Sequence, residues 1–231
     1  MASNSEVDDH GPVIDALVFD FDGLILDTET PLFEAWRRTY LHFGVEPISL
    51  EQWVRSLGLP SNDPGHLDRR ALLEERLGRR LDEADTTEIQ RRMREQMLDQ
   101  QPLLPGVMAL LDTADRRGLP LAVASSSPSD WVQGHLERRG LLDRFRHFSC
   151  AGAVLAGKPD PATYLDACAN LGVDPSRAVA FEDSPHGVHA AKAAGLFAIA
   201  CPNPVSAALD FEHADVVVES LAAVDLDQLA G

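Results

Sequence analysis

Four short stretches carry most of the chemistry this chain could do. Asp20 and Asp22 flank a phenylalanine, Ser125, Ser126 and Ser127 form a hydroxyl run, Lys158 precedes a proline, and Glu182 and Asp183 are adjacent. Taken singly, each has an ordinary explanation. Asp-x-Asp is common turn chemistry, serines cap helices, a loop lysine is solvated, and acids favour helix N-termini. Taken together they are complementary. Carboxylates brought close raise one another's pKa, and a divalent cation between them relieves that cost. Oxygen ligands without His or Cys favour a hard ion, and magnesium suits a site that also receives phosphate. Hydroxyls, backbone amides and one ammonium form the opposite, electropositive half, which the remaining oxygens of a phosphoryl group require.

Each stretch follows or joins elements that would bring it to one edge. Residues 13–20 read as a buried strand ending in acid and glycine, and further strands are predicted at 119–125, 147–150, 178–181, 196–201 and 216–218. Helical spacing fills the gaps: one helix stops at Gly118, others cover 131–139 and 161–171, and another stops at Gly195. Such alternation specifies a parallel sheet with helices on both faces, and ligands then bind at the carboxyl ends of the strands. Residues 28–102 differ, since they read as helices throughout. Thr30 and Pro31 are expected to start a helix along Leu32, Trp36, Tyr40 and Phe43, Ser49 and Gln52 form a capping box, and helical spacing continues through Leu73, Leu77, Ile89, Met93 and Met97.

The segment Asp20-Phe21-Asp22-Gly23-Leu24-Ile25-Leu26-Asp27-Thr28-Glu29 resembles the first motif of the haloacid dehalogenase-like hydrolase superfamily. Ala124-Ser125-Ser126-Ser127 resembles its second motif, Lys158-Pro159-Asp160-Pro161 its third, and Phe181-Glu182-Asp183-Ser184 with Gly187 its fourth. Within the superfamily the chain is most similar to the beta-phosphoglucomutase-like phosphatases. The resemblance implies an α/β fold: a Rossmann-like parallel sheet core (11–27 and 103–231) carrying an inserted all-helical cap (28–102), after a disordered lead (1–10). It implies a magnesium-dependent phosphatase acting on a small phosphorylated metabolite such as a sugar phosphate. Asp20 would attack phosphorus to give an aspartyl-phosphate, and Asp22 would exchange protons with the leaving oxygen and the water. Ser125 and Lys158, with Gly23 and Ser126, would hold the phosphoryl group. Asp20, the Asp22 backbone carbonyl and Asp183 would hold magnesium, with Glu182 as ligand or close neighbour. Sugar-phosphate mutases of this branch tend to carry a histidine early in the cap. Leu32 stands there, so hydrolysis is the default and mutase the alternative. A receiver domain uses similar residues without turnover, but is about half this length.

Composition excludes other classes. Among 231 residues, 20 Lys and Arg face 37 Asp and Glu, a net charge of -17. That excess repels phosphate backbones and anionic lipid, so neither nucleic acid nor membrane is an expected partner. Without an apolar run of spanning length or a basic, apolar leader, the chain reads as cytoplasmic. Nothing in the pattern specifies an oligomeric state. The acid excess concentrates in the expected core, at -11, against -3 in the cap and -3 in the lead. Only Lys158 and Lys192 are lysines, the latter expected on a helix surface. Cys150, Cys168 and Cys201 lack metal-ligand spacing and read as buried thiols. Residues 152–158 mimic a phosphate-binding loop, but Pro159 replaces its hydroxyl residue. His186 and His189 read as polar helix residues. Trp53, Arg55 and Asn62 are the candidates for substrate selection by the cap.

Overall fold

The structure, a computed structural model, describes residues 13–54, 67–152 and 157–229. The expected lead, together with Arg55 and Asn62, lies outside them. Strands β1 (Ala16–Phe19), β2 (Leu121–Pro128), β3 (His147–Ala151), β4 (Ala178–Glu182), β5 (Phe197–Ala200) and β6 (Val216–Val217) make one sheet in the order β3-β2-β1-β4-β5-β6. Every pairing is parallel. The α/β fold expected from the strand and helix alternation is therefore present.

Between β1 and the rest of the sheet lie α1 (Glu29–His42), α2 (Leu50–Val54), α3 (Arg69–Leu77) and α4 (Glu83–Leu98). The first three of these helices, with the loops between them, have their own apolar centre of Tyr40, Ile48, Trp53, Leu73 and Leu81, into which Val205, from the loop after β5, also packs, while α4 lies against α1 and adds Leu98 to the sheet core. The capping box forms reciprocally, Ser49 N donating to Gln52 Oε1 and Gln52 N to Ser49 Oγ, each at 3.1 Å. Helix α1 begins earlier than Pro31 because the Asp27 carboxylate accepts the Thr30 amide at 2.9 Å, which places the proline inside the first turn. The two passages joining this block to the sheet are paired through a bridge between Leu26 and Leu103. Arg139 clamps the second passage by donating to the Leu98 and Gln101 carbonyls at 3.0 and 3.2 Å.

The period of two along the strands gives the sheet two unlike faces. Leu17, Phe19, Leu121, Val123, Val179, Phe181 and Ile199 point one way, onto α5 (Val107–Arg117) and α6 (Ser129–Glu137), with α9 (Leu226–Leu229) adding Leu226. On the other face stand Ala16, Val18, Ala122, Ala124, Ala178, Ala180, Ala198 and Ala200, against α7 (Ala162–Leu171) and α8 (Pro185–Ala194). Small side chains let these two helices sit close to the sheet. Cys150 and Cys168 are buried as expected, but Cys201, just past β5, is only half-buried. Lys192 lies at the helix surface as expected, where its ammonium grips the Asp215 carboxylate at 2.7 and 2.8 Å.

Candidate active site

Strand register assembles the first part of the site. Phe19 lies opposite Phe181 in the β1 and β4 pairing, so Asp20 and Glu182, the next residue on each strand, emerge side by side. Oxygens of Asp20, Glu182 and Asp183 fall within 4.8 Å of one another, and all three residues are buried. The Lys158 ammonium joins them, donating to Asp20 Oδ1 at 2.5 Å and to Glu182 Oε1. Glu182 has the parity of Ala178 and Ala180, so it faces α7 and α8. There Tyr164 donates its hydroxyl to Oε1 at 2.6 Å, while Ser184 Oγ and the Asp183 amide reach Oε2 at 3.1 and 3.2 Å. A Cβ at residue 187 would overlap this carboxylate, which is why glycine stands there. Both Glu182 oxygens are thus occupied by the protein's own donors. Among the described residues none reaches Asp20 Oδ2 or Asp183 Oδ1, whereas Asn203 Nδ2 holds Asp183 Oδ2 at 2.6 Å.

The Asp22 carboxylate is turned out of that cluster. It accepts from Ser127 Oγ at 2.6 Å and from the Trp131 indole at 3.0 Å. Its side chain is thus no member of the metal-ligand set, and only its backbone carbonyl is left for that expected part. Ser125 is buried and its Oγ accepts the Ser127 amide at 3.0 Å, which shapes the hydroxyl run into a turn. Gly23 has φ +81°, and a Cβ there would strike the Asp183 carboxylate and Asn203, so both conformation and space require glycine.

These groups line one cavity of about 620 Å³, within the range of small-molecule sites. Asp20, Asp22, Ser125, Ser126, Lys158 and Asp183 form its floor, and Glu29, Leu32 and Arg94 from α1 and α4 face them from the helical block. Glu182 lies behind the floor. Of the residues expected to select substrate, Trp53 is fully buried in the helical centre, with the Arg69 guanidinium 4.1 Å over its ring, and does not line the cavity. His186, expected on a helix surface, lines it instead. Glu29, Arg94, Trp131, Tyr164 and Asn203 were not anticipated as site residues. Asn203 follows β5, so the strand-end rule could have found it.

Burial holds the Asp20 carboxyl well above its ordinary range, opposed by Lys158 and reinforced by the Glu182 and Asp22 charges. Burial raises Asp183 likewise, with Asp20 and Glu182 adding to it. Although burial pulls the Lys158 ammonium down, its two carboxylate partners keep it charged beyond the usual lysine value. Burial and the Asp22 charge lift Glu29 to about 7. One ammonium among three buried carboxylates leaves negative charge unbalanced, and Asp20 and Asp183 each keep an oxygen without a donor among the described residues. This donor set fits a hard divalent cation.

Known proteins resemble the chain over most of its length. Residues 17–201 match the family of haloacid dehalogenase-like hydrolases. YhcW of Bacillus subtilis, which bears a provisional phosphatase name, is 40% identical over 93% of this chain and 95% of its own. Hexitol phosphatase B of Escherichia coli is 33% identical over 94% and 96%. A Thermotoga maritima structure with a provisional beta-phosphoglucomutase title superposes with a TM-score of 0.74 at 28% identity, covering 90% of this chain and 95% of that one. With motifs, topology and extent in agreement, the chain belongs to the haloacid dehalogenase-like hydrolase family.

Proposed function

We propose that the chain hydrolyses a small phosphomonoester, a sugar or polyol phosphate, through an aspartyl-phosphate on Asp20. The observation that carries this reading is the bond from Lys158 to Asp20 on the floor of the cavity, since an ammonium there can hold a phosphoryl oxygen against the attacking carboxylate. An Asp20 oxygen bonds to phosphorus as the ester P–O bond breaks, and Asp22 gives the leaving alkoxide its proton. Water then attacks the same phosphorus while Asp22 takes its proton, and inorganic phosphate departs with Asp20 restored. Ser125, Ser126 and the Gly23 loop contribute hydrogen bonds to the phosphoryl oxygens. Asp20, Asp183 and the Asp22 carbonyl would hold magnesium, which when bound neutralises charge on the phosphoryl group. Glu182 fixes Lys158, and the helical block over residues 28–102 acts as a cap that keeps bulk water out. Leu32, in the cavity wall, cannot relay a proton, which favours hydrolysis over mutase chemistry.

The test is phosphate release from p-nitrophenyl phosphate with and without magnesium. Turnover is expected only with the metal, and Asp20→Asn should abolish it. Retained turnover in that variant would overturn the nucleophile assignment.

A further inference from the structure

One acidic and one basic side chain face the cavity from the helical block without meeting. Glu29 sits in the first turn of α1 and Arg94 in α4, and both line the space above the floor. No ion pair joins them, and among the described residues no hydrogen bond reaches the Glu29 carboxylate or Arg94 Nε, although that nitrogen is buried. Arg94 is nevertheless fixed in place. Its guanidinium lies over the Trp131 ring at 4.3 Å, a contact that uses the π face and, among the described residues, leaves the N–H edge without an acceptor.

We propose that Glu29 and Arg94 form the subsite for the non-reacting end of the substrate, and that they select a neutral, hydroxyl-bearing leaving group over one carrying a second charge. This rests on the phosphatase reading and names the substrate class of that same site. A hydroxyl both donates and accepts, so adjacent hydroxyls satisfy Glu29 and Arg94 together. With Glu29 ionised, above pH 7, a second phosphate would suit Arg94 but be repelled by Glu29, and an ammonium group would do the reverse. A purely apolar leaving group would close both polar residues away from water with nothing to bond, a cost that gives polar sites their discrimination. Leu32 on the same wall supplies the apolar contact that a carbon chain needs.

The experiment compares, at pH 8, kcat/KM for sorbitol 6-phosphate, fructose 1,6-bisphosphate and p-nitrophenyl phosphate in the native chain, Glu29→Gln and Arg94→Gln, with thermal unfolding as the check on folding. The native chain should prefer the sorbitol ester. Glu29→Gln should raise the ratio of bisphosphate to sorbitol ester about tenfold and Arg94→Gln should lower it about tenfold, while both lower the ratio of sorbitol ester to p-nitrophenyl phosphate. Variants that change all three substrates in proportion, or move the bisphosphate ratio in the same direction, would overturn the subsite with hydrolysis left standing. No turnover of any of the three by the native chain would instead remove the phosphatase reading beneath it. The two substitutions act in opposite directions, so general damage to the fold cannot imitate the expected pattern.

Discussion

On the floor of the cavity Lys158 bonds Asp20 and Glu182, and Glu182 is in turn held by Tyr164, Ser184 and a backbone amide. On the opposite wall Glu29 and Arg94 stand apart, with no hydrogen bond to the Glu29 carboxylate or to Arg94 Nε among the described residues. The floor is built at strand ends whose register leaves little freedom, the wall on α1 and α4, two helices that pack on each other outside the sheet. The contrast separates two tasks. Groups that act on phosphorus meet the same atoms in every substrate, so fixing them in advance lowers the reorganisation needed during reaction. Groups that read the rest of the molecule meet different atoms, and their bonds are left for the ligand to complete.

The comparison can be broken most sharply at Lys158. Lys158→Met removes the ammonium that ties two buried carboxylates, and turnover of p-nitrophenyl phosphate should fall by about 10³-fold, as for loss of an oxyanion donor. Its unfolding free energy should drop by about 3 kcal/mol, because the carboxylates lose their buried partner. A loss under tenfold in a folded variant would mean that the floor does not depend on its internal cation.

Tyr164→Phe sharpens the comparison, since it loosens the floor without touching the wall. The Glu182 carboxylate loses one donor, so unfolding should cost about 1–2 kcal/mol less and kcat should fall several-fold. Selectivity between sorbitol 6-phosphate and p-nitrophenyl phosphate should stay within about twofold. A selectivity change comparable to that of Glu29→Gln would erase the division of labour.

A pH-dependent effect away from both floor and wall concerns His135, which lies behind Trp131, their rings 4.3 Å apart. His135 is buried, and burial with the neighbouring Arg138 and Arg139 charges presses its pKa from 6.5 to about 4. The neutral ring is favoured in the fold, so its stabilisation is present above pH 6.5 and lost as pH falls toward about 4, by up to about 3 kcal/mol. Urea midpoints at pH 7.5 and pH 5 should therefore separate more in the native chain than in His135→Gln. Equal separation would mean that His135 does not link this helix to pH.

The floor was largely legible in the sequence because its residues follow short apolar runs, and a period-two strand leaves little choice about where its end points. Asp20, Ser125, Glu182 and Asp183 could be assigned to one edge from their positions alone. Tyr164 was read only as part of a helical pattern, since its reach to Glu182 depends on how near α7 lies to the sheet. The wall was not legible. Glu29 and Arg94 sit on α1 and α4, two helices that meet only in the folded chain, and no spacing rule connects them. Trp53 shows the same limit from the other side: Ser49 and Gln52 marked where its helix starts, but not that the indole turns into the helical centre.

The alanine face of the sheet carries a consequence beyond packing. Tyr164 and Gly187 ride on α7 and α8, whose distance from the strands is set by Ala122, Ala180, Ala198 and their neighbours. A methyl group added to any of these would act as a shim, lifting the helices and carrying the displacement to the carboxylate that aims Lys158. These alanines never meet a ligand, yet the thickness they impose is the calibration of the site, and drift in sequence at these positions would be limited by the reaction as much as by the core.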